Sequence, residues 1–270
     1  MSWIEANGAS LRYDQSGSGR ETLVLIHEVG GCIESWDDAL PAFQGAFRVL
    51  RYDQRGFGMS EKTRVITMDG IVADLVALLD ALRIPGPVHL AGCAMGAAIA
   101  LAFAGRYPAR VGRIAVASPA TWANADPAAA RKRIEETERG GVRAVERPSL
   151  NASYPENMRA LDHARYERFR LRWLGNDPEA MAAIVRMSTD PSFDLSSHLA
   201  SIRAPTLVIG CTHDGIRTPA MVAKVAAQIP GAKYVEASSG HFMAVETPDL
   251  FGDLALPFLR GGAAEVMKEA

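Results

Sequence analysis

The chain has 270 residues, 48% of them hydrophobic, and a formal net charge of −2. That length accommodates one large α/β domain with an insertion, or two small domains, around a sizeable core. Balanced charge without a long basic run argues against a nucleic-acid partner, and no apolar stretch is long enough to span a bilayer.

The first element is a hairpin around Asn7-Gly8, a strong turn dipeptide. "TLVLIH" (22–27) is a continuous apolar run, the pattern of a strand covered on both faces, and "FRVLRYD" (47–53) is a second. Ile71, Val72, Leu75, Leu78, Leu79 and Leu82 then recur with a helical period, predicting a helix over 68–84. "PVHLAG" predicts a strand, 95–107 a helix, and "GRIAVAS" (112–118) another strand. Between about 122 and 199 only helical patterns occur: "PAAARKRIEETERGG", one long helix over "ENMRALDHARYERFRLRWLG", and "DPEAMAAIVRMS". Alternation then resumes with "APTLVIG", a helix over 219–228, "AKYVEA" and a closing helix "DLFGDLALPFLR". The pattern predicts a mostly parallel sheet with helices on both faces. Its core is expected over 1–120 and 200–270, with a helical cap inserted at 121–199.

Open α/β sheets bind ligands beyond the carboxyl ends of their strands. Four stretches fall there: "HEVGG" (27–31), "YDQRGFGMS" (52–60), "GCAMG" (92–96), and the pair "GCTHDGIRTP" with "SSGHFMAVETP". The third has the form of a G-x-S-x-G nucleophile elbow, with Ala94 where the attacking serine would stand. Asp214 follows one late strand and His241 the next, giving the order nucleophile position, acid, histidine. In such a set the histidine removes a proton and the aspartate fixes its tautomer. The amides of Met95 and Val29 are the expected oxyanion donors, each worth roughly 3–4 kcal/mol. Cys93 precedes the apex, and strand alternation turns its side chain away from that of residue 94. Cys32 and Cys211 read as packing residues, and no His/Cys set has zinc-ligand spacing.

These stretches together resemble the α/β-hydrolase superfamily, most closely hydrolases of the 3-oxoadipate enol-lactonase-like group. The resemblance implies an α/β-hydrolase fold and a cofactor-independent, metal-free hydrolase of an ester, lactone or related activated carbonyl in a small, carboxylated metabolite. Two residues depart from the family pattern: Ala94 replaces serine, and Glu28 replaces the glycine usual after the histidine of the oxyanion loop. Retention of Asp214 and His241 favours an inactive serine-to-alanine form at position 94. The alternatives are a serine-independent enzyme using His241 as base, and a non-catalytic ligand-binding protein on the same fold.

Substrate contacts are expected from Glu28, Trp122, Arg165 and Arg168. Glu28 places a carboxylate near the site, unless it points away and ties down its loop. Tyr166, Phe169 and Trp173 form one stripe of the long predicted helix, with Arg165, Arg168 and Arg172 beside it. An arginine reaching into the pocket would grip an anionic substrate. The odd cysteine count fits a reducing compartment, and "MSWIEANGAS" lacks the pattern of a signal peptide. The expected setting is cytoplasmic, with a small molecule as partner, no membrane or nucleic acid, and a homodimer as one open assembly.

Overall fold

The strands Ser2–Ala6 (β1), Ala9–Ser16 (β2), Thr22–Ile26 (β3), Arg48–Tyr52 (β4), Val88–Cys93 (β5), Val111–Ala117 (β6), Thr206–Cys211 (β7) and Lys233–Ala237 (β8) form one sheet. Their order in this computed structural model, which describes residues 1–123 and 126–262, is β1-β2-β4-β3-β5-β6-β7-β8. β1 and β2 pair antiparallel, β2 pairs antiparallel with β4, and every later pairing is parallel. The hairpin turns on Asn7 (φ 50°) and Gly8 (φ 67°), the left-handed pair that a two-residue turn requires.

Every residue of β3, β5 and β7 is buried, as their unbroken apolar runs predict. Alternation along the strands divides the core between the two sheet faces. Val24, Ile26, Leu90 and Val208 pack with Leu75, Leu78, Ile99 and Phe103 of the helices Met68–Ala81 and Met95–Arg106. Leu23, Leu25, Leu207 and Ile209 pack on the other side with Trp36, Phe43, Phe251 and Phe258. Each such side chain contributes about 1.5–3 kcal/mol of burial. Parallel pairing therefore gathers the loops after β3, β5, β7 and β8 at one edge of the sheet.

Between β6 and β7 the described residues are helical, apart from an isolated bridge between Trp122 and Asp194. The helices Pro127–Gly140 and Pro178–Thr189 each start with proline behind an aspartate, Asp126 and Asp177, whose carboxylate caps the first turn. The single long helix expected over 156–175 is two, Glu156–Leu161 and His163–Leu174. Asp162 separates them: its side chain accepts the Arg165 N–H at 2.8 Å, and a capping aspartate is more stable than one inside a helix. The helices Glu146–Ser153 and Ser196–Ser201 are short additions with no apolar period to announce them. No described helix is long and apolar enough to cross a membrane.

Candidate active site

β5 ends at Cys93, the helix Met95–Arg106 begins at once, and Ala94 between them is held at φ 52°, ψ −116°. A non-glycine residue there costs on the order of 1–3 kcal/mol and persists only where its surroundings impose it. They do so through backbone bonds: the Ala94 N–H donates to Ala117 O at 3.0 Å, and Ala94 O accepts the Ala120 N–H at 3.2 Å. The flanking glycines allow the close crossing. A Cβ on Gly96 would lie 2.1 Å from Ile26 O, and one on Gly92 would lie 2.5 Å from the carbonyl carbon of Gly96. Gly96→Ala is therefore expected to cost about 3 kcal/mol or more, since backbone offers no rotamer to yield. Urea denaturation checks this, and an unchanged midpoint would show that the elbow is not sterically set.

Asp214 follows β7 and His241 follows β8, which run side by side. His241 Nδ1 lies 2.7 Å from Asp214 Oδ2, with both side chains buried. The other carboxylate oxygen, Oδ1, accepts the N–H groups of Ile216 at 2.8 Å and Arg217 at 2.9 Å. Burial pushes the Asp214 pKa up, but the His241 charge and these hydrogen bonds outweigh it and hold it below the usual carboxylate range. Asp214 is thus kept ionised, and an Nδ1–H donating to it leaves His241 Nε2 as the free basic nitrogen.

Val29 and Met95 meet His241 and Ala94 on one cavity of about 460 Å³. Among the described residues, neither the Val29 nor the Met95 N–H donates to another protein group. The Val29 loop is fixed from behind. His27 Nε2 accepts the Gln54 N–H at 3.0 Å, its Nδ1 lies 2.7 Å from Glu28 O, and the Gln54 side chain donates to His27 O at 2.6 Å. Trp173 packs from above, so closely that a Cβ on Gly30 would lie 2.5 Å from its ring, and Asn176 Nδ2 donates to Gly30 O at 2.8 Å.

The expected substrate contacts fall elsewhere. Glu28 does not line the cavity; it is buried beneath its loop and accepts the Ser35 hydroxyl at 2.8 Å. Arg165 and Arg168 do not line it either. Burial of Tyr166, Phe169 and Trp173 turns the arginine flank toward the core loop, where Asp38 lies 2.9 Å from Arg165 Nε and 3.4 Å from Arg168 Nη2. Trp122 is not a lining residue, but its carbonyl accepts Arg217 Nη2–H at 2.6 Å and its ring lies under that guanidinium. Arg217 does line the cavity, and sequence reasoning passed over it. Its only signal was its place in the loop that carries Asp214.

Cys93 packs in the core behind the sheet, away from Ala94, and burial pushes its thiol well above the usual range. Cys32, Glu34 and Asp53 approach one another closely enough to chelate. Arg12, however, pairs with Glu34 at 2.6 Å and with Asp53 at 2.6 Å, supplying the positive charge a metal would bring. A wider surface groove of about 640 Å³ lies between the 64–69 loop and the helix Pro178–Thr189. Its Arg64, Arg106 and Arg186 are paired with Glu179, Asp69 and Glu138, and it holds no part of the Ala94–His241–Asp214 set.

The model of the alpha/beta hydrolase fold family matches residues 21–248. The chain is 31% identical over 272 residues to the pyrrolizixenacetamide deacetylase of Xenorhabdus hominickii, with 96% of this chain and 98% of that one covered. It superposes on the enol-lactonase from Burkholderia xenovorans LB400 with a TM-score of 0.89 and 28% identity, covering 96% of this chain and all of that one (100%). A thermophilic esterase from Thermogutta terrifontis, solved with malate bound, superposes with a TM-score of 0.88 and 25% identity over 96% of this chain and 98% of that one.

Proposed function

The chain belongs to the alpha/beta hydrolase fold family, and from that premise we propose a serine-type hydrolase frame in which Ala94 has removed the nucleophile. The observation that carries this reading is the buried His241–Asp214 pair, 2.7 Å apart, on the same cavity as the strained elbow residue. A methyl group has no lone pair to attack with, but a hydroxyl there would share its cavity with the His241 imidazole.

With serine at 94, its Oγ would give its proton to His241 Nε2 and form a bond to the substrate's carbonyl carbon. The N–H groups of Val29 and Met95 would hold the carbonyl oxygen as negative charge develops. His241 would return the proton to the leaving oxygen or nitrogen as that bond breaks. Water, deprotonated by the same nitrogen, would then release the acid and restore the serine. This sequence serves an ester, a lactone or an amide alike. It accords with an enol-lactonase, an esterase and a deacetylase among the similar proteins. The helical segment at 121–199 is the cap in this reading, since Arg133, Ser149, Trp173 and Val185 roof the cavity. As the chain stands, substrate binds and the covalent step does not occur.

The test compares the chain with its Ala94→Ser variant on a panel of aryl esters and lactones. Turnover that emerges only with serine supports the reading. Equal turnover in both would remove residue 94 from the chemistry and make His241 the base acting directly on water or substrate. Saturable binding with silence from both would leave a ligand-binding protein.

A further inference from the structure

We propose that Glu246 is a positioning residue for His241: its carboxyl holds the backbone on both sides of the histidine and so sets where the imidazole stands. The proposal rests on the hydrolase reading of this site and adds to it a residue that does not line the cavity.

His241 lies in the loop between β8 and the short helix Met243–Glu246. Hydrogen bonds close both ends of that loop. Before the histidine, the Ser239 N–H donates to Ala237 O and Ser239 O accepts the His213 N–H, each at 2.9 Å. After it, Phe242 O accepts the N–H groups of Val245 at 2.8 Å and Glu246 at 2.9 Å. Thr247 Oγ1 donates to Ser239 Oγ at 2.8 Å and draws the two ends together. Between them, among the described residues, no backbone carbonyl accepts from Gly240, His241 or Phe242.

The buried Glu246 carboxyl fills that gap. Its Oε1 accepts the Phe242 N–H at 2.8 Å. Its Oε2 lies so close to Gly240 that a Cβ there would be 2.1 Å away, and the Gly240 amide acts on the carboxyl as the Phe242 amide does. One side chain thus holds the residue before His241 and the residue after it. Asp214 alone does not do this. Its bond to Nδ1, at 2.7 Å, fixes one atom of the ring and leaves the ring free to swing about that bond. How deep Nε2 reaches toward residue 94 depends on where the backbone of residue 241 is held. The same hold extends to Phe242, whose ring lies 5.1 Å from the imidazole and 5.4 Å from Phe169 of helix His163–Leu174. A buried carboxyl costs stability that an apolar side chain of equal length would not. Here it supplies the supporting contacts that keep a proton acceptor within the roughly 0.5 Å a reacting group requires.

Three variants separate reach from acidity. Glu246→Gln keeps the length and the acceptor for Phe242, Glu246→Asp keeps the carboxyl but not the reach, and Glu246→Met keeps the length but no acceptor. In the Ala94→Ser background, Asp and Met are each expected to lower kcat on an aryl ester about 30 to 100-fold, and Gln less than about tenfold, with KM within about threefold throughout. In the chain as it stands, the proton shared by His241 Nδ1 and Asp214 Oδ2 should give a low-field NMR resonance. Gln should preserve that resonance, and Asp and Met should broaden or abolish it. Asp and Met disturb the loop differently, by space and by lost acceptors, so either one that folds decides the matter. A purely structural role would lower the urea midpoint while leaving kcat and the resonance unchanged, and would overturn the proposal. So would an Asp variant that outperforms Gln, since acidity and not reach would then matter. The hydrolase reading fails separately: without turnover in Ala94→Ser, the resonance still decides the role of Glu246.

Discussion

In the Ala94→Ser background, His241→Ala is expected to lower kcat on an aryl ester by about 10⁴ to 10⁶-fold, with KM changed only a few-fold. Asp214→Asn should cost about 10⁴-fold. The two losses have one origin. The Asp214 carboxylate, 2.7 Å from Nδ1, holds the imidazole with Nε2 free to take a proton. Asparagine preserves the shape but offers an N–H where an acceptor is needed, so the ring settles into the wrong tautomer. Because the residues act as a unit, the double variant should be no slower than His241→Ala alone. The residual rate would come from binding and from the amides of Val29 and Met95, which neither change touches. Steady-state kinetics of the four proteins decides it. A multiplicative loss in the double variant would mean that Asp214 and His241 work separately, and that their hydrogen bond is structural.

Much of this arrangement is legible in the sequence because it depends on local rules. Buried parallel strands read as unbroken apolar runs, and glycines at 92 and 96 around a small residue mark a crossing that no Cβ would permit. Asp214 and His241 follow from being polar residues shortly after two strands, the buried apolar β7 and the half-exposed β8. The surroundings of the arginines are less legible because they depend on which neighbour covers a surface. Helical period correctly sets Tyr166, Phe169 and Trp173 on the buried stripe and the arginines beside it. It says nothing of Asp38, which is distant in sequence and takes up both Arg165 and Arg168. Arg217 has no periodic context at all. Its place on the cavity and its bond to the Trp122 carbonyl emerge only in the folded chain.

Glu246 gives the second large effect, on stability against pH. Only 2% exposed, it lies beneath the histidine loop, where its Oε1 accepts the Phe242 N–H at 2.8 Å and Oε2 lies against Gly240. Burial, aided by the charges of Asp214 and Glu28 and opposed by the Phe242 and Gly240 amides, pushes its pKa up to about 8. The unfolded chain releases that proton near the ordinary value of about 4.3. Between the two values the folded state holds a proton that the unfolded state has lost, so stability falls as pH rises. The neutral carboxyl's contribution is complete below the unfolded pKa and is lost as pH climbs through about 8. A tenfold difference in proton affinity is worth about 1.4 kcal/mol, so the full effect is on the order of 5 kcal/mol. Glu246→Gln keeps an acceptor for the Phe242 amide and removes the titration. Its stability relative to the unsubstituted chain should therefore rise steadily from pH 5 to pH 8.5, and comparing the two proteins cancels the opposite, acid-side contribution of Asp214. Urea unfolding at half-unit intervals of pH measures this difference directly. A flat difference across that range would mean that Glu246 is already ionised in the folded protein, and the loop holding His241 would then sit on a buried negative charge rather than a neutral acid.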